Sequence, residues 1–374
     1  MLLSLSNRAR DYAWGSTTLL AGLEGREPSS VPEAEVWFGD HPGDPADLAD
    51  GRTLDEVTGG SLPYLLKLLA AADPLSIQVH PTREQAREGF ARERGLAASD
   101  PSRNYRDDNH KPELIVPLSE RFEALGGLRP LADTLRLLES FPESAGVNAL
   151  RSRLQAGEPA DALRETIGWL LSGEAQTEVD QIIAGLRVAE SEEFAETLRG
   201  VRAIAERNPG DPGVVVALLM NFLVLRRGEA IFLRAGLLHA YVSGLGVEIM
   251  AASDNVLRGG LTPKHIDVDE LLAVVDPSPG DVPVQRPSDD AEVVQYDVPV
   301  PDFALQRVRV DGERRIEVTG PTIALVTAGT VTVASDSGDA LDVPVGGAAF
   351  ASPDEGAIML RGQGEVFVAE PGRN

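Results

Sequence analysis

The chain changes character twice along its length, and this change constrains its fold more than any other feature of the sequence. Up to about Arg129 the chain is rich in glycine, proline and short apolar runs, which is typical of β-strands joined by loops. Over residues 130–208 apolar side chains recur at helical spacing, for example at Leu163 and Ile167, until a breaker at 208–213 ends the pattern. The sequence therefore predicts a mainly β protein with a helical insertion.

Strand-like segments return after the breaker, and a second boundary lies in the stretch 276–290, which is rich in proline and aspartate. Strands are predicted at 229–233, 237–242 and 246–250 before this boundary, and at 314–318, 322–326, 330–334 and 365–369 beyond it. The short, regularly punctuated strands beyond the boundary are typical of a small sandwich or jelly roll. We predict three units: a β domain from residues 1–129 and 214–280, a helical insertion at 130–213, and a C-terminal β domain at 281–374.

The composition excludes several classes of function. The chain contains no cysteine, so disulfides and thiol nucleophiles are excluded and any metal must be bound by nitrogen and oxygen. A formal net charge of −25 argues against nucleic acid or an anionic membrane as a partner. The longest apolar run, at 214–225, is shorter than the ~20 residues of a membrane span. Residues 1–8 lack the basic start of a signal peptide, so we expect a cytoplasmic protein.

Lysine is scarce, and each lysine lies inside or close to a dense polar motif. Of 34 basic residues only three are lysines. They are Lys67, ahead of the run 75–81; Lys111, in the run 110–113; and Lys264, at the end of the run 255–264. Arginine replaces lysine on most solvated surfaces, but not where a compact ammonium with an adjustable pKa is needed. The retained lysines therefore indicate chemistry.

Strand parity groups the residues that could bind a metal. Residues two apart on a strand face the same side, and three such pairs are Gln78 with His80, Lys111 with Glu113, and His239 with Tyr241. Gln78, His80, Glu113 and His239 could therefore meet in one β-barrel. Two imidazoles, a carboxylate and an amide oxygen suit zinc, and on ligand type Fe(II) and Mn(II) remain open.

The three other histidines are less informative. His41 is expected in a turn, either as a loop residue or at the lip of the site. His110 should face away from its neighbour Lys111, because adjacent residues of a strand point to opposite sides. His265 lies in a polar turn and is expected to be solvated.

A second polar segment follows the strand that carries Glu248. It contains Asp254, Arg258 and Lys264, and it could simply be a capped loop with ordinary surface charges. Because Lys264 is one of only three lysines, we favour a functional role for Arg258 and Lys264. The role of Asp254 stays open.

These motifs together resemble the type I phosphomannose isomerases, also called mannose-6-phosphate isomerases. The resemblance covers the first 130 or so residues and 214–270, in the order and spacing of the family. It rests on YAWGS (12–16), AEVWFGDHP (34–42), LSIQVHP (75–81), HKPE (110–113), AGLLHAY (235–241) and SDNVLRGGLTPK (253–264).

The resemblance implies a fold and a ligand set. The fold is a cupin-type β-barrel (jelly roll) with an α-helical insertion and a second cupin-like C-terminal domain. One zinc ion per chain is implied, on the same four residues that strand parity selects, and the arginine treated as catalytic in the family falls on Arg258. The chain has Leu238 where the family usually has proline before the ligand histidine. That departure removes no ligand.

An aldose–ketose isomerisation of mannose 6-phosphate and fructose 6-phosphate needs three groups. A metal polarises the C1 and C2 oxygens, a group with a pKa near neutrality moves the proton, and cationic or hydroxyl donors hold the phosphate. We expect Arg258 to stabilise the enediolate. Lys111 and Glu248 are the candidates for proton transfer. The expected phosphate contacts are Ser76, Lys67 and Lys264.

Two other functions remain as alternatives. A cupin-type Fe(II)-dependent oxygenase would use two histidines and a carboxylate, although Gln78 would occupy a position that oxygen chemistry needs. A non-catalytic sugar-binding cupin would need no cation beside its metal, which Arg258 argues against. We expect a monomer with a small phosphosugar as its partner. We also expect no metal in the C-terminal domain, because residues 302–374 contain no histidine or cysteine.

Overall fold

The computed structural model describes residues 1–97, 99–288 and 290–372, and it confirms a mainly β fold with a helical insertion. The strands form two antiparallel sheets. The strands are β1 Leu2–Ser6, β2 Glu35–Phe38, β3 Asp47–Leu48, β4 Tyr64–Ala71, β5 Gln78–Val79, β6 Glu113–Pro117, β7 Phe122–Leu128, β8 Met220–Leu225, β9 Ala230–Leu233, β10 His239–Ala251, β11 Leu257–Arg258, β12 Val284–Gln285, β13 Val293–Gln295, β14 Ala304–Glu317, β15 Thr322–Ser335, β16 Ala340–Val343, β17 Ala348–Ala351 and β18 Ala357–Glu370.

Of the ten α-helices in the described part of the chain, six form one block between β7 and β8. The helices are α1 Leu19–Glu24, α2 Leu54–Thr58, α3 Arg83–Arg92, α4 Leu131–Glu139, α5 Ala145–Leu154, α6 Pro159–Leu171, α7 Gln176–Leu186, α8 Ala195–Arg207, α9 Gly213–Leu219 and α10 Val268–Val274; Pro353–Glu355 is a 3₁₀ turn. In α6, Leu163 and Ile167 face the core of the block, as their spacing predicted. The helix α9 was not predicted, because a short run that is apolar on every side does not distinguish helix from strand.

The site sheet, as we call the sheet of β2 and β4 to β12, is organised around β10. The order β11-β5-β10-β6-β9-β12 is extended by β4 with β2 and by β7 with β8, so the hydrogen-bonded order does not close into a ring. The first half of β10 pairs with β5 and β7, and the second half pairs with β4 and β6. One strand therefore joins the two parts of the site sheet.

The strand β10 replaces two predicted strands, at 237–242 and 246–250. Gly244 lies between them with φ of 124°, a conformation that favours glycine, and a Cβ there would approach Phe122 Cδ2 to 2.6 Å. Glycine here lets the strand bend instead of ending it. Two further predicted strands, at 322–326 and 330–334, also form one continuous strand, β15. A register shift lies between Val326 and Ala328.

The C-terminal sheet has the order β13-β14-β18-β15-β17-β1-β3, with β16 beside β15. It therefore includes two strands from the start of the chain: β1 pairs with β17, and β3 pairs with β1. In the other direction, β12 pairs with β9 of the site sheet although it lies beyond residue 280. The division into three units stays a prediction, and strand pairings in both directions join the first β unit with the C-terminal β unit.

Apolar packing joins these parts into one body. One core cluster includes side chains of the helical block together with Ile77, Val79 and Leu257 of the site sheet. Another combines Leu66 of β4 with Phe367 of β18 and so joins the two sheets. No helix within residues 1–97, 99–288 and 290–372 has both the length and the hydropathy of a membrane span.

Candidate active site

Three side chains of the ligand type converge at one end of the site sheet. His80 follows β5, Glu113 begins β6 and His239 begins β10. His80 Nε2 lies 3.4 Å from Glu113 Oε1, and His239 Nε2 lies 3.3 Å from Glu113 Oε2. All three residues are buried, and one ligand atom from each lies within 4.8 Å of the other two. The structure thus brings together three of the four predicted ligands in an arrangement that could hold a metal ion.

Hydrogen bonds hold both imidazoles in the tautomer that a metal requires. His80 Nδ1 lies 2.7 Å from the carbonyl oxygen of Asn255, and His239 Nδ1 lies 2.9 Å from that of Leu237. Because a carbonyl only accepts, each Nδ1 carries the proton and each Nε2 presents a lone pair toward Glu113. Burial lowers the pKa of His80 to about 4, and its buried Nε2 has no hydrogen-bond partner among the described residues. These donors fit zinc.

Gln78 occupies the centre of a row of three residues on neighbouring strands. It lies opposite His239 in the pairing of β5 with β10 and opposite Arg258 in the pairing of β5 with β11. Residues directly opposite each other in antiparallel strands point to the same face of the sheet. Gln78 Nε2 donates to Ser76 Oγ at 3.2 Å, which leaves the amide oxygen as the atom available to a metal.

Lys111 is paired with the carboxylate of the ligand group. Its Nζ donates a 2.6 Å hydrogen bond to Glu113 Oε1, and both residues are buried. Burial alone would raise the pKa of the Glu113 carboxyl, but Lys111 and the two imidazoles hold it well below its usual range. Glu113 is therefore ionised, and Lys111 reaches the edge of the ligand group.

Lys67 lies between two carboxylates at the floor of the site. On β4 it stands opposite Trp37 of β2 and opposite Glu248 of β10. Its Nζ donates to Glu248 Oε2 at 3.0 Å and lies 3.8 Å from Glu35 Oε2. Burial alone would lower the pKa of Lys67, but the neighbouring carboxylates, chiefly Glu248, raise it. Burial in turn raises the pKa of Glu248.

These residues line an inner cavity of about 60 Å³ and a wider cleft of about 550 Å³. Residues that line both are Glu35, Lys67, Leu75, Ser76, Gln78 and Lys111. Glu113, His239 and Glu248 line the inner cavity, whereas Arg258 and Lys264 line the cleft. Every predicted site residue except the fully buried His80 therefore borders one of the two spaces.

Arg258 and Lys264 differ from the two other cations of the cleft. Lys67 and Lys111 are paired with glutamates, but Arg258 and Lys264 form no ion pair within the part of the chain that the structure describes. Burial, together with repulsion from Arg106, lowers the pKa of Arg258, whereas partial burial, together with repulsion from Arg258 and then from Arg106, lowers the pKa of Lys264. The cleft thus carries uncompensated positive charge that suits an anionic ligand.

The other histidines lie around the site. His41 is at its lip, where Nε2 lies 3.2 Å from Oδ1 of Asp254, a residue that lines the cleft. His110 points away from Lys111, as parity predicted, and its Nε2 lies 2.8 Å from Asp302 Oδ2. His265 is exposed, as predicted.

Two polar residues of the inner cavity received no role from the sequence. Glu35 lines it and accepts a 2.6 Å hydrogen bond from Trp37 Nε1. Tyr241 also lines it, and burial raises the pKa of the Tyr241 hydroxyl well above its usual value. The signal for Tyr241 was present, because parity places it on the same face as His239. A carboxylate within an otherwise apolar strand was the signal for Glu35.

Comparisons with known proteins find similar proteins over almost the whole chain. The family model described as phosphomannose isomerase type I, catalytic domain, matches residues 2–131. The mannose-6-phosphate isomerase of Escherichia coli (strain K12) is 36% identical over 97% of either chain. That of Bos taurus is 32% identical over 95% of this chain and 94% of its own length. A crystal structure of zinc-bound mannose 6-phosphate isomerase superposes over 100% of both chains with a TM-score of 0.89 and 32% identity.

Proposed function

The chain belongs to the mannose-6-phosphate isomerase family, and we propose that it is a zinc-dependent aldose–ketose isomerase of cupin-type fold that interconverts mannose 6-phosphate and fructose 6-phosphate through a cis-enediol. One observation carries the proposal. The two imidazole Nε2 atoms face the Glu113 carboxylate beside a cleft in which Arg258 and Lys264 have no counter-charge among the residues that the structure describes. A metal site and an anion site therefore border the same cleft.

His80, Glu113 and His239 would hold the zinc ion, with the amide oxygen of Gln78 as the fourth ligand. When bound, zinc supplies a Lewis acid for the C1 and C2 oxygens of the sugar. The chain supplies the orientation of the ligands, because the carbonyls of Asn255 and Leu237 hold both rings by their Nδ1 protons.

Arg258 is proposed to stabilise the negative charge that develops on the enediolate. Its place opposite Gln78 puts it next to the ligand group, and it has no carboxylate partner within residues 1–97, 99–288 and 290–372 to neutralise it. A guanidinium that is already partly desolvated needs less solvent reorganisation when charge develops beside it. Ser76, Lys67 and Lys264 are proposed to hold the phosphate.

Two residues could move the proton between C1 and C2. Glu248 lines the inner cavity, and burial raises its pKa toward the neutral range that proton transfer requires. Lys111 also lines both spaces and is hydrogen-bonded to Glu113. Exchange of the C2 proton of mannose 6-phosphate with deuterated solvent distinguishes the two residues. It should be measured in the variants Glu248→Gln and Lys111→Met, and the variant that lacks the base should lose the exchange.

We propose further that the protein is a monomer in the cytoplasm, with the phosphosugar as its small-molecule partner and without nucleic acid. The net charge of −25 supports the last point, because it repels polyanions. Light scattering coupled to size exclusion tests the monomer against its mass of 39.8 kDa.

The direct test is turnover of mannose 6-phosphate by the purified protein, followed as fructose 6-phosphate formed, with oxygen consumption recorded in parallel. We expect isomerisation without oxygen uptake, together with zinc in the protein. Oxygen uptake with bound iron would instead favour the Fe(II) oxygenase, and a metal with no turnover would favour the sugar-binding cupin. His239→Ala should lose both zinc and activity, whereas the exposed His265→Ala should retain both.

A further inference from the structure

We infer that Asp211, in the turn between α8 and α9, is a positioning residue that holds one wall of the substrate cleft. The inference rests on the proposed function, because its readout is the binding of a phosphosugar. The wall is the loop of residues 259–264, which follows β11 and includes Lys264. Leu261, Thr262 and Lys264 of this loop line the cleft, whereas Asp211 does not.

The side chain of Asp211 binds the backbone of the loop. Its Oδ1 accepts hydrogen bonds from the backbone N–H groups of Gly213 at 2.7 Å and Leu261 at 3.1 Å, and its Oδ2 accepts one from Thr262 N–H at 3.2 Å. One carboxylate thus joins the end of the helical insertion to two consecutive residues of the cleft wall. Charged acceptors form the stronger class of hydrogen bond to N–H groups.

The loop needs such an anchor because its backbone is strained at Leu261. This leucine has φ of 57°, and it is the one residue other than glycine with positive φ among those the structure describes. The left-handed region is unfavourable for a residue with a Cβ, so it persists only where surrounding contacts impose it. The N–H of Leu261 is one of the groups that Asp211 binds.

Close packing of two glycines reinforces the same contact. A Cβ on Gly213 would lie 2.5 Å from Leu261 N, and a Cβ on Gly260 would lie 2.4 Å from Gly213 Cα. Neither distance is compatible with a side chain unless the backbone moves. The turn after α8 and the cleft wall are therefore in direct backbone contact.

The opposite side of the loop is bound to the strand that carries the metal site. Gly259 N–H donates to Ile77 O at 2.8 Å, and Ile77 N–H donates to Gly260 O at 3.1 Å. Arg258 is held separately by the pairing of β11 with β5. Loss of Asp211 should therefore displace the far end of the loop, with Lys264, more than it displaces Arg258.

The experiment compares Asp211→Ala and Asp211→Asn with wild type in steady-state kinetics on mannose 6-phosphate. We expect Asp211→Ala to raise KM by about fivefold or more while kcat changes by less than about threefold, since binding and not chemistry is affected. Asp211→Asn keeps one acceptor oxygen and should have a smaller effect. Asp50→Ala is the matched control, because Asp50 also accepts a backbone N–H, from Arg52 at 3.1 Å, in an exposed loop outside the cleft.

Gly213→Ala should show the same rise in KM, with Gly95→Ala as its control, since a Cβ on Gly95 meets no atom within 4 Å. The strain gives a second test. Glycine adopts positive φ without cost, so in the Leu261→Gly background Asp211→Ala should raise KM by a smaller factor. Each variant is compared at equal zinc content and well below its melting temperature.

A lowered melting temperature with unchanged KM in both Asp211→Ala and Gly213→Ala would overturn the inference and leave Asp211 a purely structural residue. An equal rise in KM for Asp50→Ala would also overturn it. Failure of the proposed function looks different: wild type itself would then not convert mannose 6-phosphate.

Discussion

Lys67 donates a 3.0 Å hydrogen bond to Glu248 across the pairing of β4 with β10, and both side chains are buried. The sequence suggested different roles for the two residues: a phosphate contact for Lys67 and a candidate base for Glu248. Because they are paired, removal of Lys67 leaves the carboxylates of Glu248 and Glu35 without their cation in the interior. Removal of Glu248 likewise leaves the charge of Lys67 without its nearest carboxylate. A kinetic effect of Lys67→Ala must therefore be separated from its effect on stability.

Lys67→Ala should destabilise the fold by about 3–5 kcal/mol, because breaking a buried ion pair leaves an unpaired carboxylate. Urea unfolding measures the change. The double variant Lys67→Ala with Glu248→Gln should be more stable than Lys67→Ala alone, since it removes the orphaned charge. Lys264→Ala is the matched control, and its effect should stay within about 0.5 kcal/mol because Lys264 is exposed. Equal stability of the double and single variants would contradict the coupling.

Lys264→Ala should raise KM for mannose 6-phosphate by about tenfold, equivalent to the loss of one charge-assisted contact of about 1.4 kcal/mol. The physical reason is that Lys264 has no counter-charge within the described part of the chain and is free to bind phosphate. Turnover of unphosphorylated mannose is the internal control and should not change. If both sugars are affected equally, Lys264 does not contact the phosphate.

Arg258→Ala should lower kcat by about 10²–10³-fold, the usual loss for a donor to developing negative charge. KM and zinc content should change little, because Arg258 neither binds the ground state nor contributes a ligand atom. Arg309→Ala, at an exposed position of β14, controls for the loss of a guanidinium. A rise in KM alone would move Arg258 into the phosphate site and its proposed role to Lys111.

Chelation should abolish isomerase activity, and zinc should restore it with one ion per chain. Activity should depend on the ion because the proposed mechanism needs a Lewis acid at the C1 and C2 oxygens of the sugar. Elemental analysis of the chelated and restored protein checks the stoichiometry. Activity that survives complete metal removal would exclude the proposed mechanism, and a second tightly bound ion would contradict the expectation that the C-terminal domain is metal-free.

Strand parity was enough to group residues that are close in sequence. Lys111 and Glu113 were predicted to share a face, and their side chains are hydrogen-bonded. His80, Glu113 and His239 were also predicted to meet, and they do, but they lie at three different strands. Alternation along a strand fixes the face of each side chain before any partner strand is known, so parity explains the first result but not the pairing that brings the three residues together.

Register between distant strands could not be predicted in this way. The pairing of Lys67 with Glu248 depends on the alignment of β4 with β10, residues that are 181 positions apart. The position of Arg258 opposite Gln78 likewise depends on β11 joining β5. The placement of β1 in the C-terminal sheet is a third such case. A single sequence carries the pattern of each strand but not the choice of its neighbour.

The last prediction concerns acid stability and the contact between α3 and the C-terminal region. Asp302 Oδ1 accepts a hydrogen bond from Arg83 Nη2 at 2.8 Å, and Asp302 Oδ2 lies 2.8 Å from His110 Nε2. Burial alone would raise the pKa of the Asp302 carboxyl, but His110 and Arg83 hold it below its ordinary value. Its contribution to stability is therefore present above the unfolded pKa of about 3.9 and is lost as pH falls through the lower folded value.

Asp302→Asn should accordingly lower the free energy of unfolding by about 1–3 kcal/mol at neutral pH, the range for a buried group that loses a charged hydrogen bond. The difference from wild type should begin to shrink below about pH 4, because the unfolded wild-type chain then binds a proton that the folded carboxyl does not yet bind, and it should vanish once the folded carboxyl is protonated as well. Urea titrations between pH 7 and 3 measure both curves. Asp161→Asn, an exposed aspartate on α6, should follow wild type at every pH. A constant gap between Asp302→Asn and wild type across that range would show that packing, and not the charge of Asp302, stabilises the contact.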